Sequence, residues 1–488
     1  MKQPSEKALR AWILVLTSVA SLMVALDALV VTTALPTIKV HLGASIEELE
    51  WTVNAYTLSF AVLLMTGAAL GERFGRRRMF AAGLAIFSCS SAACAVAPSV
   101  GWLIAARAVQ GTGAALVMPL GMTLLSAAYA PEHRARALGI FSGITGLAVL
   151  GGPVIGGAIT QGIAWQWIFW INVPIGLLTI PLVFRRIDES YGPRSAPDVA
   201  GLALVTGAAL GIVWGLVRGN SAGWGSVEVI AALAVGALLV VAFVLWERRT
   251  PEPMLPMRLF ASRPFSSGNA GIFFMSTALY GAVFFMAQFL QIAQHDGPLD
   301  AGIRLLPWTA TLFIVAPLAG ARIRRVGERP FAVAGLILQA GGMGWIALIA
   351  TPDVDYWRLV APLVIAGCGV SMAMPALQNA VVSAVPAASI GKASGTFNML
   401  RQLGGVFGIA TLVAVFTGSG GYASPQLFSD GFTTAIAASA GLSLLGAVAS
   451  LGLPLAGAHD AQVASVSAAG RPTRPRPAPG TGWGAQPW

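Results

Sequence analysis

The sequence is a succession of apolar runs, each close to the ~20 residues that carry one α-helix across a bilayer, separated by short polar or basic loops. Fourteen are read, near 11–33, 50–70, 79–98, 101–125, 137–160, 166–184, 199–217, 227–246, 266–293, 302–321, 331–350, 357–384, 393–417 and 432–455. Such repetition leaves few folds open. Inside hydrocarbon every backbone N–H and C=O must find a partner, so only helices and closed barrels span it. A barrel would alternate apolar and polar residues in segments of about ten, and the runs do not alternate. Only 10% of the residues are charged, against about 25% in a soluble domain. The expected fold is an all-α polytopic membrane protein.

An even number of spans puts both ends of the chain on one side, and the cations test that topology. Loops on the side of the termini carry 24 of the 30 Lys and Arg; the opposite side carries Lys39, Arg218, Arg304 and Arg358, and Arg107 and Arg401 lie within spans. So uneven a split predicts cytoplasmic termini in a multi-pass protein of the cytoplasmic membrane. It also assigns the net charge of +10 to topology, with no nucleic-acid partner implied. The first run is longer than a signal-peptide core and no small-residue cleavage site follows it, so it is read as a retained span. Cys89, Cys94 and Cys368 are odd in number and lie in apolar runs, while His41, His133, His295 and His459 are scattered in loops and tail. No disulfide framework, metal site or cofactor is expected. The sequence holds no nucleophile–base pair or phosphate loop, so it is not read as an enzyme.

A weak internal repeat is visible. Shifted by 252, Arg73, Gly75 and Arg77 meet Arg325, Gly327 and Arg329; shifted by 256, Ala137, Gly139 and Phe141 meet Ala393, Gly395 and Phe397. The repeat divides the chain into a six-helix half at 1–184, an inserted hairpin and cytoplasmic linker at 185–265, a second six-helix half at 266–455, and a Pro-, Gly- and Ala-rich tail at 456–488 read as disordered. Repeated halves are how many secondary transporters are built, with the substrate site between them at mid-membrane.

Asp27 sits near the middle of the first run and is read as the only carboxylate within the clear spans. A charge at bilayer depth costs at least ~2.5–3.5 kcal/mol, so such a residue faces a cavity, finds a partner or takes up a proton. The bland alternative is a packing carboxylate bonded to a neighbouring Ser or Thr.

Six stretches carry a family resemblance. Gly71-Glu72-Arg73-Phe74-Gly75-Arg76-Arg77-Arg78, after the second span, resembles the signature loop G-x-L-a-D-R-x-G-R-R of the major facilitator superfamily, with Ala68 and Glu72 departing from it. In that family the loop implies a conformational latch between the halves. Arg107-Ala-Val-Gln110-Gly111-Thr-Gly113-Ala-Ala115 is similar to the fourth-span motif R-x-x-Q-G-x-G-x-A. The resemblance implies that Arg107 shares in proton coupling with Asp27; an arginine snorkelling to the helix end is the structural alternative. Gly143, followed by Gly152, Pro153, Gly156 and Gly157, resembles the fifth-span motif of antiporters, with glycines for close helix approach and a proline that bends the helix. Trp165-Gln-Trp-Ile-Phe-Trp-Ile-Asn172-Val-Pro174-Ile-Gly176, with Leu26-Asp27 through Pro36 and Ser394 through Gly405, looks like the fourteen-span drug:proton antiporters (EmrB/QacA type).

The resemblance implies a major facilitator fold of two six-helix halves plus two extra central helices. It also implies proton-driven efflux of amphiphilic drugs or antibiotics by alternating access, from a protein expected to be monomeric. Trp51, Tyr56, Phe60, Tyr280, Phe284, Phe285, Met286 and Trp308 are candidates for the apolar cavity wall, and Gln288, Gln291, Asn398, Arg401 and Gln402 for polar contacts. The ninth, tenth and thirteenth spans hold no acid, which favours neutral, weakly basic or anionic amphiphiles over dications. Two rival readings are a proton-coupled importer or facilitator of a small polar nutrient, and a non-transporting receptor on the same fold.

Overall fold

A computed structural model describes residues 6–192, 197–386 and 389–455; the tail assigned to 456–488 lies outside them. The first part holds α1 (Glu6–Leu42), α2 (Ile46–Phe74), α3 (Arg76–Ala95), α4 (Val100–Ala128), α5 (Pro131–Gly162), α6 (Trp167–Trp170) and α7 (Asn172–Arg186). A pair, α8 (Val199–Ala222) and α9 (Val227–Arg249), follows. Then come α10 (Arg263–Ile292), α11 (Pro298–Arg304), α12 (Leu306–Thr309), α13 (Thr311–Val326), α14 (Glu328–Ile349), α15 (Tyr356–Ser383), α16 (Ile390–Ser419) and α17 (Pro425–Ser450). Among the described residues, fourteen helical segments are long and apolar enough to cross a membrane. The count agrees with the sequence. Two spans are broken, however: α6 and α7 share the sixth, and α11, α12 and α13 share the tenth. In the tenth, Pro307 and Pro317 each remove a backbone donor from the helical ladder.

The second helix begins a turn before its apolar run. Ser45 and Glu48 form a capping box: the Ser45 hydroxyl accepts from Glu48 N at 3.2 Å and the Glu48 carboxylate from Ser45 N at 2.8 Å. Helix therefore starts at Ile46, and Glu50, one turn in, is buried completely. This corrects the reading of Asp27 as the only carboxylate within the spans.

The two loops matched by the repeat share a backbone conformation. Gly75, between α2 and α3, has φ +106°, and Gly327, between α13 and α14, has φ +92°. Both positions need a residue tolerant of positive φ, which is why the glycines recur in the two halves.

The apolar cores show how the halves meet. On the side of the termini each half has its own: one joins Leu16, Phe80, Leu120 and Phe141, the other Phe265, Leu336, Leu377 and Phe397. On the opposite side one cluster runs through both halves, from Leu35, Leu49 and Phe169 to Phe285, Phe416 and Phe428. There α5 and α11 touch backbone to backbone. A methyl group at Gly157 would lie 2.2 Å from the Pro298 carbonyl oxygen, and one at Gly302 would lie 2.3 Å from that of Pro153. At the other end of α5, a methyl group at Gly139 or Gly143 would meet nothing within 4 Å. The seam between the halves is thus closed on the face opposite the termini; toward the other face α5 meets open space at Gly139 and Gly143, while α2 and α16 still touch where Gly395 packs on Met65. A further cluster seats α8 and α9 on α2 and α16, through Val62, Val213, Phe243 and Val406.

Candidate functional site

The polar heart of the molecule lies inside the first half. Asp27 projects from the middle of α1 and is 2% exposed; Arg107, two turns into α4, is not exposed at all. Arg107 Nη1 donates to Asp27 Oδ2, forming a buried ion pair. The other carboxylate oxygen, Oδ1, accepts from Gln110 Nε2 at 2.8 Å and from Asn172 Nδ2 at 2.9 Å. Gln110 stands on the same face of α4 as Arg107, three residues on, and its Oε1 accepts from Arg107 Nη1 at 2.8 Å. Asn172, at the start of α7, also donates to Ser91 Oγ of α3 at 3.0 Å. Side chains of α4 and α7 therefore converge on the α1 carboxyl group, and α3 braces Gln110 and Asn172 through Ser91.

Every neighbour of Asp27 in this arrangement is a donor. A carboxylate accepts but does not donate when ionised, so the geometry is that of a charged acid beside a charged base. Arg107 is further held by a bond from Nε to the Thr52 carbonyl at 3.2 Å, and its guanidinium lies 4.2 Å from the centre of the Tyr56 ring. A cation over a desolvated ring is worth about 2 kcal/mol or more. The remaining nitrogen, Arg107 Nη2, is buried without an acceptor. Arg107 is therefore an internal ion-pair partner, in place of the snorkelling arginine of the structural alternative.

The sequence did not bring forward Asn172 as a partner of the acid, nor Ser91. Both are neutral polar residues in apolar spans, and such residues usually bond their own helix. The available signal was Asn172 in the Trp165–Gly176 run, where a polar residue sits between apolar ones.

The candidate cavity residues are dispersed. Tyr56 is the floor under Arg107, with its hydroxyl donating to the Val24 carbonyl at 3.1 Å, and Phe60 packs beside it in the first half's core. Trp51 packs at a tilt against Trp214 of α8, ring centres 6.1 Å apart. Phe284, Phe285, Met286 and Trp308 are buried in the shared cluster at the closed face. Gln288 accepts from the Tyr422 hydroxyl, and Gln291 donates across the halves to the Thr33 carbonyl at 3.0 Å. Tyr280, half-buried, donates to Gln402 Oε1 at 3.2 Å, joining α10 to α16. Asn398 bonds the Ser394 carbonyl of its own helix. Arg401 is half-buried, with its Nε lacking a partner.

The glycine motifs are packing surfaces. Gly111 faces α2 at Tyr56 and Ser59, and Gly113 faces α3 at Phe87. On α5, Gly152 and Gly156 face α1 at Leu29 and Val30, beside Asp27 in sequence, while Gly157 and Pro153 face α11 of the other half. One short segment thus touches both the acid's helix and the opposing bundle.

In the loop after α2, Gly71 packs on Leu120, Glu72 lies 3.9 Å from Arg76, and Arg73 rests on Phe74. Glu189, in the segment after α7, accepts from the backbone N–H groups of Arg77 at 2.9 Å and Arg78 at 3.3 Å. A carboxylate at these orphan donors is the favoured charge at a helix N-terminus. Arg76 N donates to the Ser190 carbonyl and Gly192 N to that of Glu72. The loop is thus tied to the strap that leaves the first half, residues 187–192.

Comparison with known proteins adds a lineage to this geometry. The profile described as Major Facilitator Superfamily matches residues 17–409. A tetracenomycin C resistance and export protein of Streptomyces glaucescens is 32% identical over 426 residues, covering 86% of this chain and 79% of that one. A puromycin resistance protein of Streptomyces alboniger is 33% identical over 484 residues, 96% of this chain and 95% of its own. A multidrug resistance protein, Stp, of Mycobacterium tuberculosis is 34% identical over 405 residues, 82% and 75% of the two chains. Among solved structures, a peptide transporter POT bound to sulfate superposes with a TM-score of 0.67 at 16% identity, covering 92% of this chain and 98% of its own. That likeness speaks for the fold alone.

Proposed function

The chain belongs to the major facilitator superfamily, and from that premise we propose that it exports amphiphilic drugs or antibiotics by exchanging them for protons, through alternating access. Relatives named for resistance and export, matched over most of their length, support the efflux direction. The 24-to-4 division of loop cations supports cytoplasmic termini in the cytoplasmic membrane. With that orientation the closed face, where α5 meets α11, is external.

The observation that carries the reading is the Asp27 carboxylate, sealed in the first half and held by Arg107, Gln110 and Asn172. A proton arriving on Asp27 cancels the ion pair and turns one acceptor oxygen into a donor. The oxygen that gains the proton can no longer serve a cationic N–H as well, so the contact between α1 and α4 weakens. Because Gly156 packs α5 on α1 and Gly157 packs α5 on α11, a change at α1 is relayed to the seam between the halves. One proton crossing 100 mV releases about 2.3 kcal/mol, enough for roughly a forty-fold accumulation of cargo.

The test uses inverted membrane vesicles with an acid interior and a weakly basic fluorescent amphiphile as cargo. Wild type should dissipate the pH gradient on addition of the dye. Asp27→Asn, still binding the dye, should not; Asp27→Glu, which keeps a titratable carboxyl, should retain dissipation with a displaced pH profile. Wild-type gradient dissipation by Asp27→Asn overturns the coupling assignment. Export of dicationic dyes with Asp27 as the one essential carboxylate overturns the substrate class.

A further inference from the structure

The mechanism above makes no use of Glu50. Its side chain is 0% exposed, on the first turns of α2, in the wall of the cluster that closes the external seam. Among the described groups its single hydrogen-bond partner is Asn54, one turn on, whose Nδ2 donates to Glu50 Oε1 at 3.2 Å. The other oxygen, Glu50 Oε2, is buried without a partner, and so is Asn54 Oδ1. Two acceptors are therefore buried side by side with no donor for either. An ionised carboxylate so placed bears a desolvation cost of several kcal/mol. The helix N-terminus returns up to ~2 kcal/mol of that, and its first-turn N–H is already capped through Ser45 and Glu48. One proton on Glu50 Oε2 removes the charge and supplies the donor that Asn54 Oδ1 lacks, closing a two-bond acid–amide pair.

The neighbouring charges do not remove the need for that proton. Glu47 on the same helix is bound to Arg218 of α8 at 3.3 Å. Arg107 of α4 is committed to Asp27 and to the Thr52 carbonyl. From α1, the Lys39 ammonium lies 3.6 Å from the centre of the Tyr422 ring, and His41 meets Trp165 edge-on. Cys94 of α3 is bonded to Gln110. The cations of α16, Lys392 and Arg401, lie toward its far end. Tyr422, between α16 and α17, donates its hydroxyl to Gln288, and burial pushes its phenol well above the ordinary value, so it stays neutral.

Glu50 faces the seam: Tyr422 of the second half lies close enough to feel its charge and is itself bonded to Gln288. We propose that Glu50 is a second proton-binding residue, which holds a proton while the external seam is closed and gives it up to water when the seam opens. The step is a simple exchange: the O–H bond at Oε2 breaks, the proton passes to solvent, and the carboxylate regains hydration from outside. Raising external pH then favours opening, and closing reloads the proton. The proposal adds a titrating group to the transport reading above but does not need Asp27 to be the coupled acid.

Infrared difference spectra of the purified, lipid-reconstituted protein at neutral pH give the direct test. The carbonyl stretch of a protonated carboxyl should be present in wild type, lost in Glu50→Gln and kept in Asp27→Asn. Asn54→Ala should shift that band without removing it, which decides the question should Glu50→Gln fold poorly. Identical bands in wild type and Glu50→Gln, or no shift in Asn54→Ala, overturn the proposal. For the seam, Ala293→Cys places a thiol that is nearly unexposed in the closed cluster, with Cys89 and Cys368 replaced by alanine. An impermeant maleimide applied outside should label it several-fold faster at alkaline external pH, beyond the rise from thiolate formation that Glu50→Gln shares. The same pH response in both proteins overturns the gating role. Loss of the band in Glu50→Gln together with wild-type antiport by Asp27→Asn sinks the Asp27 assignment and leaves this one standing.

Discussion

Asp27 and Glu50 sit in the same half of the molecule, 2% and 0% exposed, yet their surroundings are built for opposite states of charge. Asp27 receives bonds from Arg107, Gln110 and Asn172. Glu50 receives one, from Asn54, and leaves an oxygen unpaired. Depth is the same, so depth does not decide. The number of donors and the presence of a cation do: a buried charge is tolerable when paired and hydrogen-bonded, and neutralises when it is not. One half of the bundle thus holds an acid kept charged by its neighbours and another whose neighbours ask for a proton.

The contrast breaks most visibly at the cation. Arg107→Ala leaves Asp27 as a lone buried charge and should cost about 3–5 kcal/mol of stability, read as a fall in the denaturation midpoint of the purified protein. Asp27→Asn added to Arg107→Ala should recover much of that loss, because the orphan charge goes with it. If the double variant is as unstable as the two losses summed, the ion pair is not what holds α1 to α4. Lys39→Ala, by comparison, should cost little, since its ammonium sits half-exposed over Tyr422.

The neutral donors come next. Asn172→Leu removes a bond to a charged oxygen and should cost about 1.5–3 kcal/mol, while Asn54→Leu removes the two neutral bonds of the acid–amide pair, worth about 0.5–1.5 kcal/mol each. Ser91→Ala, which touches Asp27 only through Asn172 and Gln110, belongs with the smaller losses at about 0.5–1.5 kcal/mol. A loss at Asn172→Leu no greater than that at Ser91→Ala would mean that the oxygen Asn172 serves carries no charge.

How much of this was legible beforehand follows from what kind of signal each feature leaves. Fourteen spans were readable because a bilayer imposes one length on every crossing. Arg107 and Asp27 were readable because intramembrane charges demand explanation, but that they meet is a matter of how α1 packs on α4, which span-level patterns do not encode. Asn172 and Ser91 leave no charge signal at all. The breaks in the sixth and tenth spans were hidden because hydropathy averages over them. Glu50 is different, since its position was available. Ser45 and Glu48 have the spacing of a capping box, and applying it would have started α2 at Ile46 and placed Glu50 inside the span. Weighing apolar run length above cap chemistry set that carboxylate at the first residue of the run. The loop glycines were the reverse case: Gly75 and Gly327, matched only through a faint repeat, proved to share the positive φ that makes them necessary.

The smallest effect sharpens the comparison furthest. Glu50→Gln and Asp27→Asn are the same chemical change, an acid replaced by its amide. At position 50 the amide can make both bonds of the pair, donating from Nε2 to Asn54 Oδ1 and accepting from Asn54 Nδ2. Stability at neutral pH should therefore move by less than the ~1 kcal/mol of one net hydrogen bond. At position 27 the same replacement strands Arg107 in apolar surroundings and turns an amide N–H toward other donors, so its cost should approach that of breaking the pair, about 3–5 kcal/mol. Paired thermal or denaturant midpoints for the two variants measure the difference directly. A loss at Glu50→Gln as large as that at Asp27→Asn would show Glu50 to be ionised in the closed conformation, with a counter-charge reaching it by a route other than its contacts with Asn54.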